Sequence, residues 1–371
     1  PRVRRQRQMC IRDSLIGLPA AFLVLFSLWG MLTPDQSISQ SERRPLASFP
    51  TPQWETVESG SFMADFETYT LDQFPLRDSF RALKAMTVLQ LFHQKDNNDL
   101  YEAQGFLAKI EYPFDRSSVT YAAERFRFIY DTYLKESGAQ VYFSIVPDKN
   151  YFLASENGYV SIDYDAFFSF ARQQVDFAWY LDITPYLELS DYYRTDTHWR
   201  QEKITDVAAF LVDEMGGSLH ASYQLCPISS SFYGVYAGQW ALPVAPDELY
   251  TVTNDTIEQY RVFDFETQSV IPVYDEEKAT GQDPYELFLS GPKSLLTIEN
   301  PQATTDKELI LFRDSFGSSL APLLAQGYAK VTVVDIRYMK PELLGQFIDF
   351  ENKDVLFLYS TSVLNNSITI K

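Results

Sequence analysis

The last third of the chain alternates short apolar runs with amphipathic stretches, and this alternation restricts the fold more than any other feature of the sequence. In chain order, the pattern predicts a strand at 309–313, a helix at 319–326, a strand at 330–336, a helix at 342–350 and a strand at 355–359. Strands and helices that alternate at this spacing form parallel βαβ units. We therefore expect an α/β fold with a mostly parallel sheet covered by helices on both faces.

The preceding sequence adds elements of the same kind. Residues 141–146 form a compact β-branched and aromatic run that ends at Pro147, as expected of a buried parallel strand. Helical spacing of apolar residues and turn signals predict further helices at 74–92, 121–137, 166–174 and 203–215 and a strand pair at 100–110. Residues 218–306 are rich in turn formers and short β-prone runs. We interpret them as a β-rich insertion that shapes a substrate cleft.

The composition allows a large hydrophobic core and limits the partners. The chain has 371 residues, of which 46% are hydrophobic and 15% aromatic. Its formal net charge of −19 disfavours nucleic acid and anionic lipid as main partners, since both would repel it. Neutral or weakly charged polysaccharide is easier to accommodate.

An uncharged apolar segment near the start of the chain predicts a membrane anchor. Residues 14–33 provide roughly the 20 apolar positions that a helix needs to cross a bilayer. Basic residues precede this segment, which places residues 1–13 in the cytoplasm by the positive-inside rule. We therefore expect a single-pass signal anchor, a linker at 34–60, and an extracytoplasmic catalytic domain at 61–371.

Two short motifs carry the residue types of an acyl-transfer triad. Asp196-Thr197-His198-Trp199 supplies a carboxylate two positions before a histidine, and Arg313-Asp314-Ser315-Phe316 supplies a serine at a predicted strand-to-helix turn. A serine hydroxyl needs a base, and the base needs an orienting acceptor on its other ring nitrogen. The first motif should be non-helical, because positions i and i+2 of a helix point apart. The alternative is a capping serine with an ordinary surface histidine.

Further residues are candidates for substrate and oxyanion contacts. The Ser315 backbone N–H is one candidate, and it precedes the predicted helix, whose N-terminus favours developing negative charge. Arg337 and Tyr338 follow the next strand, and Lys149 follows the strand at 141–146. Trp199 could pack beside the histidine ring and fix its plane. Each of these four side chains has an alternative structural role.

Six separate segments resemble the DHHW proteins and the related alginate O-acetyltransferases AlgJ and AlgX. They are residues 42–50, 72–77, 146–149, 195–199, 313–316 and 335–338. The resemblance implies an SGNH-hydrolase-like three-layer fold, with Ser315 as nucleophile, His198 as base and Asp196 as the residue that orients it. Thr197 departs from the family pattern, but it lies between the two functional side chains.

The resemblance also implies a function. It is that of a membrane-anchored O-acetyltransferase that modifies a cell-surface or secreted polysaccharide and receives acetyl groups through a membrane-bound O-acyltransferase partner. No cofactor is implied, and the sequence shows neither a phosphate-binding glycine motif nor the Cys and His cluster of a zinc site. Two alternatives remain. One is a carbohydrate acetylesterase with the same triad, and the other is a non-catalytic polysaccharide-binding or scaffold protein.

Overall fold

The computed structural model describes residues 15–371 in full, together with the backbone of a helix that begins at Arg2. The chain divides into two compact units, Pro1–Gln94 and Lys95–Lys371. The predicted cytoplasmic location of residues 1–13, and the basic side chains on which it rests, lie outside the described residues.

The first unit contains the apolar segment and three shorter helices. The helices are α1 (Arg2–Leu32), α2 (Trp54–Glu58), α3 (Ser61–Asp72) and α4 (Arg77–Met86), the last continued by a π-helical turn at Thr87–Leu91. Within α1, Leu15–Leu32 has a mean hydropathy of 2.1 and none of it is buried. By length and composition, this helix could cross a membrane or serve as a signal sequence.

The predicted boundary at residue 61 differs from the one in the structure. Helices α3 and α4 belong to the first unit, which extends to Gln94. The predicted linker is also partly ordered, since it contains α2 and a strand pair at Ile38–Ser39 and Arg44–Pro45. The Asp72 carboxylate explains why the linker is ordered, because it accepts hydrogen bonds from Arg44 Nη1 at 2.9 Å and from the Ala47 amide at 2.9 Å. These bonds tie the linker to α3.

An eight-stranded sheet forms the centre of the second unit. Its strands, numbered along the chain, are β1 (Gln140–Val146), β2 (Trp179–Tyr180), β3 (Arg261–Asp264), β4 (Ser269–Ile271), β5 (Leu295–Glu299), β6 (Glu308–Arg313), β7 (Lys330–Val334) and β8 (Asp354–Ser360). Their spatial order is β4-β3-β5-β7-β6-β8-β1-β2. The five strands from β7 to β2 run parallel, and β5, β3 and β4 extend the sheet in antiparallel pairing.

Helices cover both faces of this sheet. The helices of the second unit are α5 (Arg116–Ile129, continued by a π-helical turn at Tyr130–Leu134), α6 (Asn150–Leu153), α7 (Tyr164–Gln174), α8 (Thr205–Glu214), α9 (Val235–Trp240), α10 (Glu276–Ala279), α11 (Phe316–Leu324) and α12 (Thr361–Asn365). Along β6, Leu309 and Leu311 join a core with α8 and α11, while Ile310 and Phe312 join a core with α5 and α7. This alternation follows from the period of two in a strand. The predicted three-layer α/β fold is confirmed.

Residues 218–306 do not form one separate lobe. Strands β3, β4 and β5 pair into the main sheet, with Leu295 of β5 opposite Val334 of β7. Among the strands of this segment, only the hairpin of Gln224–Phe232 and Asp247–Thr253, with α9 at its turn, lies outside the main sheet. The predicted strand pair near Gly105 is present, at Leu100–Ala103 and Phe106–Lys109.

One predicted helix is a tighter turn. Residues 342–350 were expected to form an α-helix, but the structure has a 3-10 segment at Pro341–Gln346. Pro341 begins this segment, and Gly345 disfavours its extension into a regular helix. The other 3-10 turns of the second unit are Thr184–Tyr186, Leu189–Asp191, Gln201–Lys203, Ile257–Gln259, Pro284–Leu287, Ala325–Gly327 and Ser367–Thr369.

Candidate active site

Ser315 lies on the turn between β6 and α11, at the carboxyl edge of the parallel strands. The preceding residue, Asp314, is fully buried and holds this turn. Its Oδ1 accepts the Phe316 amide at 3.0 Å, and its Oδ2 accepts the Ser360 amide at the end of neighbouring β8 at 2.7 Å. Asp314 is thus a turn and helix-capping residue, and it fixes the position at which the Ser315 hydroxyl is presented.

His198 and Asp196 are carried by a short, non-helical loop. Tyr192 and Trp199 form a β-bridge across this loop, and the Tyr193 amide donates to the His198 carbonyl at 3.1 Å. The Asp247 carboxylate, from the adjacent hairpin, accepts the Thr195 amide at 2.8 Å. The loop is therefore fixed at its base and near its tip, and the two functional side chains lie on the same side.

Asp196, His198 and Ser315 form a continuous hydrogen-bonded chain. His198 Nε2 lies 2.7 Å from Ser315 Oγ, and His198 Nδ1 lies 2.6 Å from Asp196 Oδ1. The other Asp196 oxygen, Oδ2, accepts the Val235 amide of α9 at 2.8 Å. Because Nδ1 faces a carboxylate, the neutral ring carries its proton there. Nε2 is then the acceptor that faces the serine hydroxyl.

The environment keeps Asp196 ionised. Only 1% of the residue is exposed. Burial alone would raise the pKa of Asp196, but His198 and the hydrogen bonds from His198 and Val235 outweigh it and hold this pKa well below its usual range. A charged carboxylate can stabilise the imidazolium that forms when His198 takes up a proton.

Tyr285 holds the His198 ring from one side, and sequence reasoning missed it. The two rings stack 3.8 Å apart at an angle of 6°. The Tyr285 hydroxyl lies 2.8 Å from Ser319 Oγ of α11, which fixes the phenol in turn. Stacking on an aromatic face fixes the plane of the imidazole ring. No local pattern marks Tyr285, because its contact with His198 exists only in the folded chain.

Trp199 connects the loop that carries Asp196 and His198 to α11. Its indole is fully buried, and Nε1 donates to the Phe316 carbonyl at 3.1 Å and to Ser319 Oγ at 3.0 Å. The indole therefore fastens the Asp196–His198 loop to the first turn of α11. It does not line the cleft around Ser315.

A cleft of about 240 Å³ opens beside the serine. Its lining residues are His198, Asp283, Tyr285, Glu286, Gly291, Pro292, Arg313, Ser315, Ser318, Arg337 and Tyr338. The structure thus brings the predicted residues Arg337 and Tyr338 to the serine. Arg337 donates to both oxygens of Asp335, at 2.9 and 2.7 Å, and Tyr338 is half exposed at the rim. Among residues 15–371, no group of three or more His, Cys, Asp or Glu side chains could hold a metal ion.

Lys149 is not a cleft residue, contrary to the prediction. It is 3% exposed, and its Nζ donates to the carbonyls of Tyr193 at 3.0 Å and Arg194 at 3.3 Å. The ammonium group also lies 5.0 Å from the centre of the Tyr236 ring. Lys149 therefore supports the Asp196–His198 loop from the protein interior.

A Lys149→Met variant should show a weaker pH dependence of stability than the unmodified protein. Burial lowers the pKa of Lys149 from 10.5 to about 7, although nearby carboxylates, Asp196 first, oppose the shift. Between about pH 7 and 10.5 the unfolded chain thus binds one proton more than the folded chain. The contribution of Lys149 to the free energy of unfolding therefore increases with pH across that window and does not change below it. Melting temperatures of both proteins from pH 6 to 10 measure the difference, and a constant difference would contradict the prediction.

Comparison with known proteins supports the fold. No family model matches the chain, and no curated protein matches it. Its structure is similar to a DHHW family protein from Eubacterium siraeum, with a TM-score of 0.59 and 21% identity over 74% of this chain and 95% of that one. It is also similar to Bacillus cereus PatB1, with a TM-score of 0.58 and 16% identity over 72% and 97% of the two chains. PatB1 has also been solved with a sulfonyl adduct. The O-acetyltransferase domain of Pseudomonas putida AlgJ is less similar, with a TM-score of 0.44 and 15% identity over 71% and 90% of the two chains. The predicted DHHW-like fold is confirmed.

Proposed function

We propose that this chain is an O-acetyltransferase with Ser315 as its nucleophile, anchored in a membrane and active outside the cytoplasm on a cell-surface or secreted polysaccharide. One observation carries the proposal, namely the hydrogen-bonded chain from Asp196 through His198 to Ser315, with links of 2.6 and 2.7 Å. Both links are within the range expected of a nucleophile, its base and the residue that orients the base.

The first half-reaction forms an acetyl-enzyme. Ser315 Oγ attacks the acetyl carbonyl carbon of the donor while its proton moves to His198 Nε2, and the carbonyl oxygen becomes negatively charged. When the tetrahedral intermediate collapses, the bond to the donor oxygen breaks. That oxygen leaves with the proton from His198, whose positive charge Asp196 has stabilised in the meantime.

The second half-reaction transfers the acetyl group to a sugar. An acceptor hydroxyl attacks the acetyl carbon while His198 Nε2 takes up its proton. The bond to Ser315 Oγ then breaks, and Oγ regains a proton from His198. Water in place of the sugar hydroxyl would give acetate and make the protein an esterase.

The size and border of the cleft fit a small acyl group delivered to a large acceptor. A volume of about 240 Å³ accommodates an acetyl group and one attacking hydroxyl. An oligosaccharide would have to lie across the rim, where Tyr338 is 51% exposed. Aromatic rings are suited to such a position, because they offer an apolar face and a polar edge.

The anchor and the acetyl source are inferred from the apolar helix and from the resemblance of six sequence segments. Helix α1 contains a segment long enough to span a bilayer. Attachment to the membrane would raise the effective concentration of the protein near a membrane-bound O-acyltransferase partner. Such a partner would supply acetyl groups outside the cytoplasm.

Trapping of the acetyl-enzyme tests the proposal. The full-length protein in detergent is mixed with p-nitrophenyl acetate, and the reaction is quenched with acid. The protein is then digested, and the masses of the peptides are measured by mass spectrometry. We expect one acetyl group, on the peptide that contains Ser315. Addition of an oligosaccharide should remove the acetyl group from the protein and yield acetylated sugar.

Two variants provide the comparison. Ser315→Ala should lose the acetyl label and ester turnover, whereas Ser230→Ala, at an exposed position, should keep both. Unchanged turnover by Ser315→Ala would exclude both enzymatic functions. Serine-dependent release of acetate without acetylated sugar would identify an esterase, and sugar binding without serine-dependent turnover would identify a binding protein.

A further inference from the structure

The residue two positions before the serine is a buried cation in the wall of the cleft. Arg313 ends β6 and is 1% exposed, yet it lines the cleft together with His198 and Ser315. Its side chain passes over Gly317 in the first turn of α11. A Cβ atom at Gly317 would lie 2.6 Å from Arg313 Cβ and 2.9 Å from its Cγ, so only glycine leaves room for the arginine there.

Most of the hydrogen-bonding capacity of Arg313 is unused. Its Nε and Nη2 are buried and have no hydrogen-bond partner among the described residues. Its contacts with acceptors are made by Nη1, which is 3.4 Å from the Asp314 carbonyl and 3.5 Å from Asp335 Oδ2. Buried donors without acceptors cost about 1–3 kcal/mol each, so folded proteins rarely keep them without a functional reason.

The neighbouring charges leave Arg313 incompletely balanced. The Asp335 carboxylate is bound at 2.9 and 2.7 Å by Arg337. Its contact with Arg313 Nη1 is longer, at 3.5 Å. The Asp314 carboxylate faces the amides of Phe316 and Ser360. Arg337 thus has a carboxylate of its own, while the Nε–Nη2 edge of Arg313 does not.

We propose that the Nε–Nη2 edge of Arg313 binds the acetyl carbonyl oxygen as that oxygen becomes negatively charged, so that Arg313 provides the oxyanion site of the Ser315 reaction. This inference rests on the proposed function. Two parallel N–H groups of one guanidinium match an oxygen anion well and act without rearrangement. Exclusion of water strengthens the interaction, because 1% exposure leaves little solvent to screen the charge.

Kinetics of Arg313 variants test this assignment. With p-nitrophenyl acetate and the full-length protein, Arg313→Gln should lower kcat by about 100-fold to 1000-fold, the loss typical of one oxyanion donor, with little change in KM. Arg313→Lys should recover only part of the rate, since an ammonium group keeps the charge but not the paired donors. Methylguanidinium in solution should raise the rate of Arg313→Ala but not that of Ser315→Ala.

Further variants separate a catalytic from a structural role. Gly317→Ala displaces the Arg313 side chain without changing any charge and, like Arg313→Gln, should lower kcat. Arg261→Gln makes the matched substitution at an arginine whose side chain is 63% exposed and should leave kcat unchanged. Melting curves identify variants that fail to fold. If Arg313→Gln is one of them, the kcat values of Arg313→Lys and Gly317→Ala test the oxyanion role instead.

The oxyanion role of Arg313 and the proposed function can be rejected separately. If Ser315→Ala is inactive while folded Arg313→Gln keeps the kcat of the unmodified protein, Arg313 is not the oxyanion site and the proposed function stands. If Arg313→Gln changes KM alone, the residue binds substrate without acting on the transition state, and the inference is likewise rejected. Turnover by Ser315→Ala would reject the proposed function itself.

Discussion

Asp196→Asn is expected to lower kcat for an activated acetyl ester by about 10⁴-fold in a protein that still folds. The loss should appear in kcat rather than in KM, because Asp196 does not line the cleft. It acts on the reaction through His198, whose tautomer and orientation it sets.

The hydrogen bonds of Asp196 show why an asparagine cannot replace it in either orientation. If the amide NH₂ faces His198 Nδ1, the ring must carry its proton on Nε2, which then points at Ser315 Oγ and cannot accept its proton. If the amide oxygen faces Nδ1, the NH₂ group takes the place of Oδ2 and meets the Val235 N–H, which now donates to Oδ2 at 2.8 Å. The first arrangement loses the base, and the second leaves two buried donors opposed.

A matched control is Asp213→Asn, the same change on an exposed position of α8. Both variants would be assayed with p-nitrophenyl acetate, and circular dichroism would verify that the fold is retained. A folded Asp196→Asn protein with a kcat close to that of the unmodified enzyme would show that the carboxylate does not orient the base.

The sequence predicts the parallel half of the sheet well because local patterns there agree with the tertiary structure. Strands β6, β7 and β8 are short apolar runs separated by helix-like segments, and such units permit essentially one handedness of connection. That geometry alone brings the ends of these strands to one edge. The position of Ser315 at this edge follows from its place in the chain.

The antiparallel half could not be predicted in the same way. Strands β3 and β5 are short, and the partner of β5 is β7, which follows it in the chain only after β6. Four or five residues of β-prone sequence do not indicate which edge of a sheet a strand will join, because strand pairing depends on burial in the folded protein. We therefore interpreted residues 218–306 as a β-rich insertion, whereas in the structure part of this segment continues the sheet.

The candidate site divides along the same line. Asp196, His198 and Ser315 have chemically distinctive side chains in short motifs, so the sequence points to them. Tyr285 contacts His198 from a 3-10 turn, Pro284–Leu287, and nothing near it in the chain indicates that contact. Arg313 did leave a signal, because it continues the alternation of Leu309 and Leu311 and a charged residue at a buried strand position needs a partner.

Gly234→Ala is expected to reduce activity more than a methyl group on a half-buried segment usually would. Gly234 has φ −73° and ψ 176°, which alanine adopts without strain, so the effect comes from space alone. An added Cβ would lie 2.3 Å from Asp196 Cβ, 2.4 Å from Asp196 Cα and 2.4 Å from the Thr195 carbonyl oxygen. Two of these three atoms belong to the backbone and cannot turn away.

The loop that carries Asp196 and His198 must therefore move away from α9. Four hydrogen bonds hold the two segments together: Gly234 N to Thr195 Oγ1 at 2.9 Å, Val235 N to Asp196 Oδ2 at 2.8 Å, and Tyr236 N and Ala237 N to the Thr195 carbonyl at 3.0 and 3.3 Å. Overpacking of this kind costs about 1–3 kcal/mol of stability. A displacement of about 1 Å at the base would lower kcat by roughly 100-fold, because catalysis depends on the alignment of reacting groups.

Val235→Ala provides the comparison, since it trims the adjacent side chain but keeps the amide that binds Asp196. Its melting temperature and kcat should remain close to those of the unmodified protein, whereas Gly234→Ala should lower both values. An intermediate Gly234→Ala result is informative as well. Lower kcat with an unchanged melting temperature means that the loop adapts by moving Asp196, while the reverse means that the strain is relieved elsewhere. A Gly234→Ala protein that equals the unmodified one in both measurements would contradict the tight contact between α9 and the Asp196 loop.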